Sequence, residues 1–161
     1  MKHYHPVVIM AFTFMCMLFS CKKEDIGITK TVLPFKGTYT TSNEVLSAAP
    51  NLQVRITGIG QSSYLGDGKF VAYSTVNLTT PPPFRISGIS TMYASSGDVF
   101  YTSFAGTQIP NTNGTLTIVM THTIRGGTGI YENASGTFVG NSIVNQSSPT
   151  NSITLDGSIS Y

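Results

Sequence analysis

Phe70-Val71-Ala72-Tyr73-Ser74-Thr75-Val76-Asn77-Leu78 is the stretch that decides the fold. Phe70, Ala72, Ser74, Val76 and Leu78 fall on one parity, and Val71, Tyr73, Thr75 and Asn77 on the other. A period of two with β-branched and aromatic residues on both parities marks a strand with two different faces, and no helical period competes with it. The same alternation recurs upstream, where Val54 and Ile56 alternate with Gln53, Arg55 and Thr57. Further strand-like runs cover 35–42, 84–93, 98–105, 115–124, 132–141 and 152–160, about eight in all.

Turn formers separate these runs: Gly58-Ile59-Gly60, Gly66-Asp67-Gly68, Thr80-Pro81-Pro82-Pro83, Ser95-Ser96-Gly97-Asp98, Pro110-Asn111-Thr112-Asn113-Gly114, Arg125-Gly126-Gly127-Thr128-Gly129 and Ser147-Ser148-Pro149-Thr150-Asn151. Gly supplies positive φ and Pro a fixed φ, which reversals need. Connections this short join antiparallel neighbours, because a parallel crossover takes a dozen or more residues. The sequence therefore predicts an all-β domain: a single antiparallel up-and-down barrel of about eight strands, with a two-sheet β-sandwich as the alternative. Closure removes the exposed edges that an open sheet would leave.

Ahead of this domain, Lys2, His3 and His5 precede an apolar stretch over 7–19 that ends at Ser20-Cys21. Thirteen helical residues rise about 20 Å, short of the roughly 30 Å hydrocarbon core, so the stretch reads as an export signal rather than a membrane span. Leu18-Phe19-Ser20-Cys21 resembles the lipobox of bacterial lipoproteins, and Lys22-Lys23-Glu24-Asp25 resembles the charged tag after the acylated Cys in surface lipoproteins of the Bacteroidetes. The resemblance implies a lipoprotein signal peptide at 1–20, an acylated Cys21 and tether over 21–34, and a barrel over 35–161. It also implies a cell-envelope address as an outer membrane lipoprotein, either facing the periplasm or exposed at the surface, with the membrane as partner through the lipid anchor.

Composition removes several functions. Of 161 residues only 10% are charged, against 40% hydrophobic, and the formal charge is +2. From residue 26 onward six Lys and Arg face five acids, too even a balance to capture a polyanion, so no nucleic-acid partner is expected. Cys16 belongs to the signal and Cys21 to the lipid, which leaves the domain no thiol chemistry. His122 is the one histidine outside the signal, so no metal site and no cofactor are expected.

Gly126-Gly127-Thr128-Gly129 is not read as a phosphate cradle, because a strand follows it where a helix would have to. With Tyr131 and Gly136 these glycines read as a structural hairpin in which close backbone approach is needed. The run from Ile124 to Gly136, Ile-Arg-Gly-Gly-Thr-Gly-Ile-Tyr-Glu-Asn-Ala-Ser-Gly, resembles the glycine hairpin of allene oxide cyclase-like and dirigent-like barrels of the calycin group. Ser63-Tyr64-Leu65-Gly66 and Ser95-Ser96-Gly97-Asp98 are placed as in bacterial members of that set. That resemblance implies a barrel that works by confining or orienting a molecule in its lumen. The acidic, Asn and Cys residues of the cyclase pocket have no counterpart here, and the Asp, Tyr and Arg set of dirigent pockets is not aligned to particular positions, so the resemblance implies the fold and not the activity.

For ligand contact His122 comes first, on the apolar parity of Leu116, Ile118, Met120 and Ile124, with Tyr73, Tyr93 and Tyr64 as hydroxyl-bearing companions. Asp67, Asp98 and Asp156 each adjoin a glycine and read as turn residues, so no catalytic residue is assigned. The expected function is a lipid-anchored envelope barrel that binds a small apolar or amphipathic ligand, more a binding protein than an enzyme. The alternatives are a cyclase, isomerase or dirigent-like confinement of a reactive molecule, and a structural or adhesive surface module.

Overall fold

The computed structural model describes residues 30–161. Eight strands follow in chain order: β1 (Leu33–Ser47), β2 (Asn51–Ser62), β3 (Gly66–Asn77), β4 (Phe84–Tyr93), β5 (Val99–Pro110), β6 (Thr115–Gly127), β7 (Ser135–Asn145) and β8 (Asn151–Ser160). Each pairs antiparallel with the next, and β1 closes on β8 from Leu33↔Ile159 to Thr41↔Asn151. The architecture is a closed up-and-down barrel, not a sandwich. The signal over 1–20, Cys21 and the tag Lys22, Lys23, Glu24 and Asp25 lie outside the described residues.

Closure follows from the alternation. On β3 Phe70, Ala72, Ser74 and Val76 are buried while Tyr73 between them is 50% exposed, and on β6 Met120, His122 and Ile124 are buried. Every strand thus turns one parity inward, and the eight inner faces fill a common lumen.

The two ends differ. At one, the β2–β3, β4–β5 and β6–β7 connections meet over Phe35, Leu65, Phe100, Tyr131 and Phe138, all 1% exposed or less. Phe35 lies 4.9 Å from Phe138 and 5.9 Å from Phe100, and Phe100 lies 5.7 Å from Tyr131. These rings make a solid floor, with centroid spacings in the range that favours edge-to-face and offset contact. Tyr131 donates its hydroxyl to the Tyr64 carbonyl at 2.6 Å. Burial, with the charges of Tyr161 and Asp98 nearby, pushes its pKa up to about 12, so it stays a donor at any ordinary pH. The opposite end carries the β1–β2, β3–β4, β5–β6 and β7–β8 connections and is open.

Two sequence expectations need correction. Gly58-Ile59-Gly60 is not a turn but lies inside β2. A Cβ on Gly58 would sit 2.2 Å from Phe70 Cε1, and one on Gly60 would sit 2.1 Å from the Thr38 carbonyl oxygen. These glycines make room for a ring and for the neighbouring strand, which is what glycine inside a strand often signals. The stretch Glu132-Asn133-Ala134 is not strand either: a single 3-10 turn over Gly129–Tyr131 and the Ala134 N–H to Tyr131 carbonyl bond extend the reversal, so β7 begins at Ser135.

Gly58→Ala is expected to lower stability by about 1–3 kcal/mol, because the new methyl must displace the Phe70 ring within a packed core. Urea unfolding of the two proteins measures the difference. A variant as stable as the parent would contradict the packing described.

Candidate functional site

Above the floor the lumen widens in two steps. An inner chamber of about 50 Å³ is lined by Phe70, Ala72, Ser90, Met92, Phe104, Met120, His122, Ile153 and Leu155, among others. Beyond it lies an open vestibule of about 650 Å³, with Val54, Ser74, Val76, Phe84, Gln108, Leu116 and Asn151 in its wall. Asn43, Ile56, Ile118 and Val144 border both, so chamber and vestibule form one funnel. Among the described residues, no Lys, Arg, Asp or Glu lines either part.

His122 sets the chemistry of the chamber. β6 turns it inward because it shares parity with Met120 and Ile124, and it is 5% exposed. Its ring stacks on Phe138 at 4.6 Å and 11°, and meets Phe104 from the other side at 4.9 Å. Both contacts come from register, since His122 pairs with Phe104 on β5 and with Phe138 on β7. The two rings cover the faces of the imidazole and leave only its edges for hydrogen bonds.

One edge is occupied. Nδ1 lies 3.1 Å from Thr102 Oγ1, which lies 2.7 Å from Ser90 Oγ, a file of three polar groups from adjacent strands, all buried. The other edge is not: His122 Nε2 is buried without a hydrogen-bond partner among the described residues. Burial in this apolar setting lowers the His122 pKa to about 4, so the ring is neutral at physiological pH. A neutral imidazole with one edge fixed and one free can bind or polarise a single polar group of a ligand. Ser74 Oγ, in the vestibule wall, is the other buried polar side-chain atom without a partner among the described residues.

The structure separates the residues that the sequence groups together. His122 lies in the chamber, but Tyr73 faces outward from β3 beside Arg55 and Ile89. Tyr93 pairs with Lys69 on the outer face, where the ammonium sits 5.0 Å from the ring centre. Tyr64 is 42% exposed in the β2–β3 turn at the floor, with φ of 69°, and its ring meets Tyr161. Gly126, Gly127, Gly129 and Gly136 lie in and beside the β6–β7 connection. Gly126 takes φ of +94° at an irregularity where the β5–β6 register slips, a backbone state that other residues rarely adopt. Ser90 and Thr102 are the site residues that sequence reading missed. The visible signal was parity alone, which places Ser90 with Ile86 and Met92, and Thr102 with Phe100 and Phe104.

Among the described residues no three His, Cys, Asp or Glu side chains come together as a metal site would require. No family model matches the chain, and no curated protein matches it. Among solved structures, a pyocyanin demethylase aligns with a TM-score of 0.47 and 15% identity, over 79% of this chain and 99% of that one.

Proposed function

We propose that this protein binds a small, largely apolar molecule in the funnel without transforming it, and that Cys21 anchors it by lipid to the cell envelope. The observation that carries the binding reading is the unpartnered Nε2 of His122 at the inner end of an uncharged cavity. A buried polar atom without a partner is costly, and buried groups in folded proteins are rarely left so. A ligand that reaches the chamber supplies the missing partner while its apolar body occupies the vestibule. The combined funnel is of the size that small-molecule sites usually have, and such sites are mostly apolar with few polar groups.

Confinement of a reactive molecule, which the cyclase-like and dirigent-like resemblance suggests, draws on the same lumen. His122 is the one titratable side chain among the funnel-lining residues, so a reaction there has a single polarising group and no second acid or base. That favours binding over catalysis.

Native mass spectrometry of the purified protein after exposure to envelope and medium extract tests the binding reading. A discrete added mass is expected in the parent and a markedly lower occupancy in His122→Phe. A folded protein with no added mass from any extract would contradict it. The anchor is tested separately: Cys21→Ala is expected to release the protein from membranes, and unchanged membrane retention would remove the lipoprotein reading.

A further inference from the structure

From the direction of the hydroxyl file, we infer that His122 presents an N–H donor to the chamber, and that the ligand is a neutral molecule carrying a hydrogen-bond acceptor such as a carbonyl, ether or pyridine-type nitrogen. This rests on the binding reading above and narrows it to a ligand class.

Two directions are open to the file. In the first, Ser90 donates to Thr102, Thr102 donates to Nδ1, and the imidazole proton sits on Nε2. In the second, Nδ1–H donates to Thr102, Thr102 donates to Ser90, and Nε2 is a bare acceptor. The two bonds at 2.7 and 3.1 Å are compatible with either, since hydroxyls rotate. They differ in what remains once a ligand is bound. In the first, an acceptor on the ligand takes up Nε2–H and every proton of the file has a partner. In the second, a ligand donor satisfies Nε2, but the Ser90 proton at the far end of the file then needs a second, accepting group on the same ligand, since Ser90 lines the chamber and Thr102 is the one partner that the structure gives it among the described residues. A buried donor without an acceptor is the rarer and costlier defect.

The surroundings of Nε2 point the same way. A Cβ on Gly140 would lie 3.4 Å from Nε2, and 3.2 Å from Ile153 Cδ1, so the glycine keeps side-chain atoms of β7 off the nitrogen. Among the described residues, no charged side chain lines the chamber. A ligand anion would have one neutral donor against the loss of its hydration, and a cation would face a donor with no counter-charge, so neither is accommodated.

The test has two readouts on the purified protein. Nitrogen-15 NMR of the His122 ring, assigned by its loss in His122→Phe, reads the tautomer directly. Titration with acetophenone and with α-methylstyrene, which replaces the carbonyl oxygen by a methylene of similar shape, reads the ligand class. Protonated Nε2 with unprotonated Nδ1 is expected, together with about tenfold tighter binding of acetophenone, in line with one buried hydrogen bond. Gly140→Ala is expected to keep the tautomer and lose the preference, since its methyl would stand 3.4 Å from Nε2 and crowd any ligand atom approaching the nitrogen. Protonated Nδ1, or equal affinity for the two compounds, would overturn this inference while leaving the binding reading intact. Binding of neither compound would overturn the binding reading, and the ligand class with it.

Discussion

Phe100→Ala is expected to lower the unfolding free energy by about 3–5 kcal/mol, the range for large aromatic truncations in close-packed cores. Phe100 is fully buried and within 6.4 Å, centroid to centroid, of Phe35, Tyr131 and Phe138. Three rings therefore lose a packing partner at once. The surrounding strands cannot collapse into the void, because the floor is held by β1 and β7, each in continuous register with β8, and by the Tyr131 hydroxyl on the β2–β3 turn. Phe100→Leu keeps most of the volume and should cost less than half as much. Urea unfolding of the three proteins checks the order. Equal stability of the Ala variant and the parent would mean that the floor is not the stabilising centre described. The effect should also reach the chamber, because Phe138 packs against Phe100 on one side and stacks on His122.

Acid should destabilise the protein through His122. In the unfolded chain its pKa is the ordinary 6.5, and in the folded barrel burial lowers it to about 4. The folded state holds the ring neutral, so as pH falls the unfolded chain takes up the proton first and unfolding is favoured. This contribution is fully present above about pH 6.5, is lost progressively below it, and is gone once the folded ring also titrates near pH 4. A gap of that size corresponds to about 3 kcal/mol. The neutral ring has no carboxylate among its bonded or stacked neighbours, which are Thr102, Phe104 and Phe138, so nothing offsets the cost of charging it. Urea midpoints at pH 7.5 and pH 4.5 should separate the parent from His122→Phe. The parent is expected to lose stability between them by more than the variant does. Parallel losses in both proteins would show that His122 is not held neutral by the fold.

The barrel itself was legible in the sequence because strand parity and turn chemistry are local signals. The alternation through Phe70, Ala72, Ser74 and Val76 needed no partner strand to be read, and β4 begins and ends where its alternation does, at Phe84 and Tyr93. Glycines inside strands were misread because a glycine that makes room for a neighbour and a glycine that turns the chain are the same letter. What Gly58 does is decided by Phe70, twelve residues away and opposite it across the β2–β3 pair. The site was half legible. His122 stood out by being the one histidine in the domain, and its apolar parity placed it inside. Tyr73 was grouped with it for its hydroxyl, although it sits on the parity opposite to Phe70 and Ala72 and so had to face outward from a closed barrel. Ser90 and Thr102 were invisible as a pair. Their meeting depends on the β4–β5 register, Ser90↔Thr102, and serine and threonine are too common in this chain for any two of them to attract notice.

An even number of strands has a consequence for how the molecule can be held. β1 starts and β8 ends at the floor, where Leu33 pairs with Ile159. Whatever precedes Leu33 or follows Ser160 therefore departs on the plugged side, and the four connections around the vestibule carry no covalent load. A support coupled through either flank grips the barrel by its base and presents the opening to the bulk solution. Crowding of neighbours on that support narrows lateral spacing but does not cap the entrance.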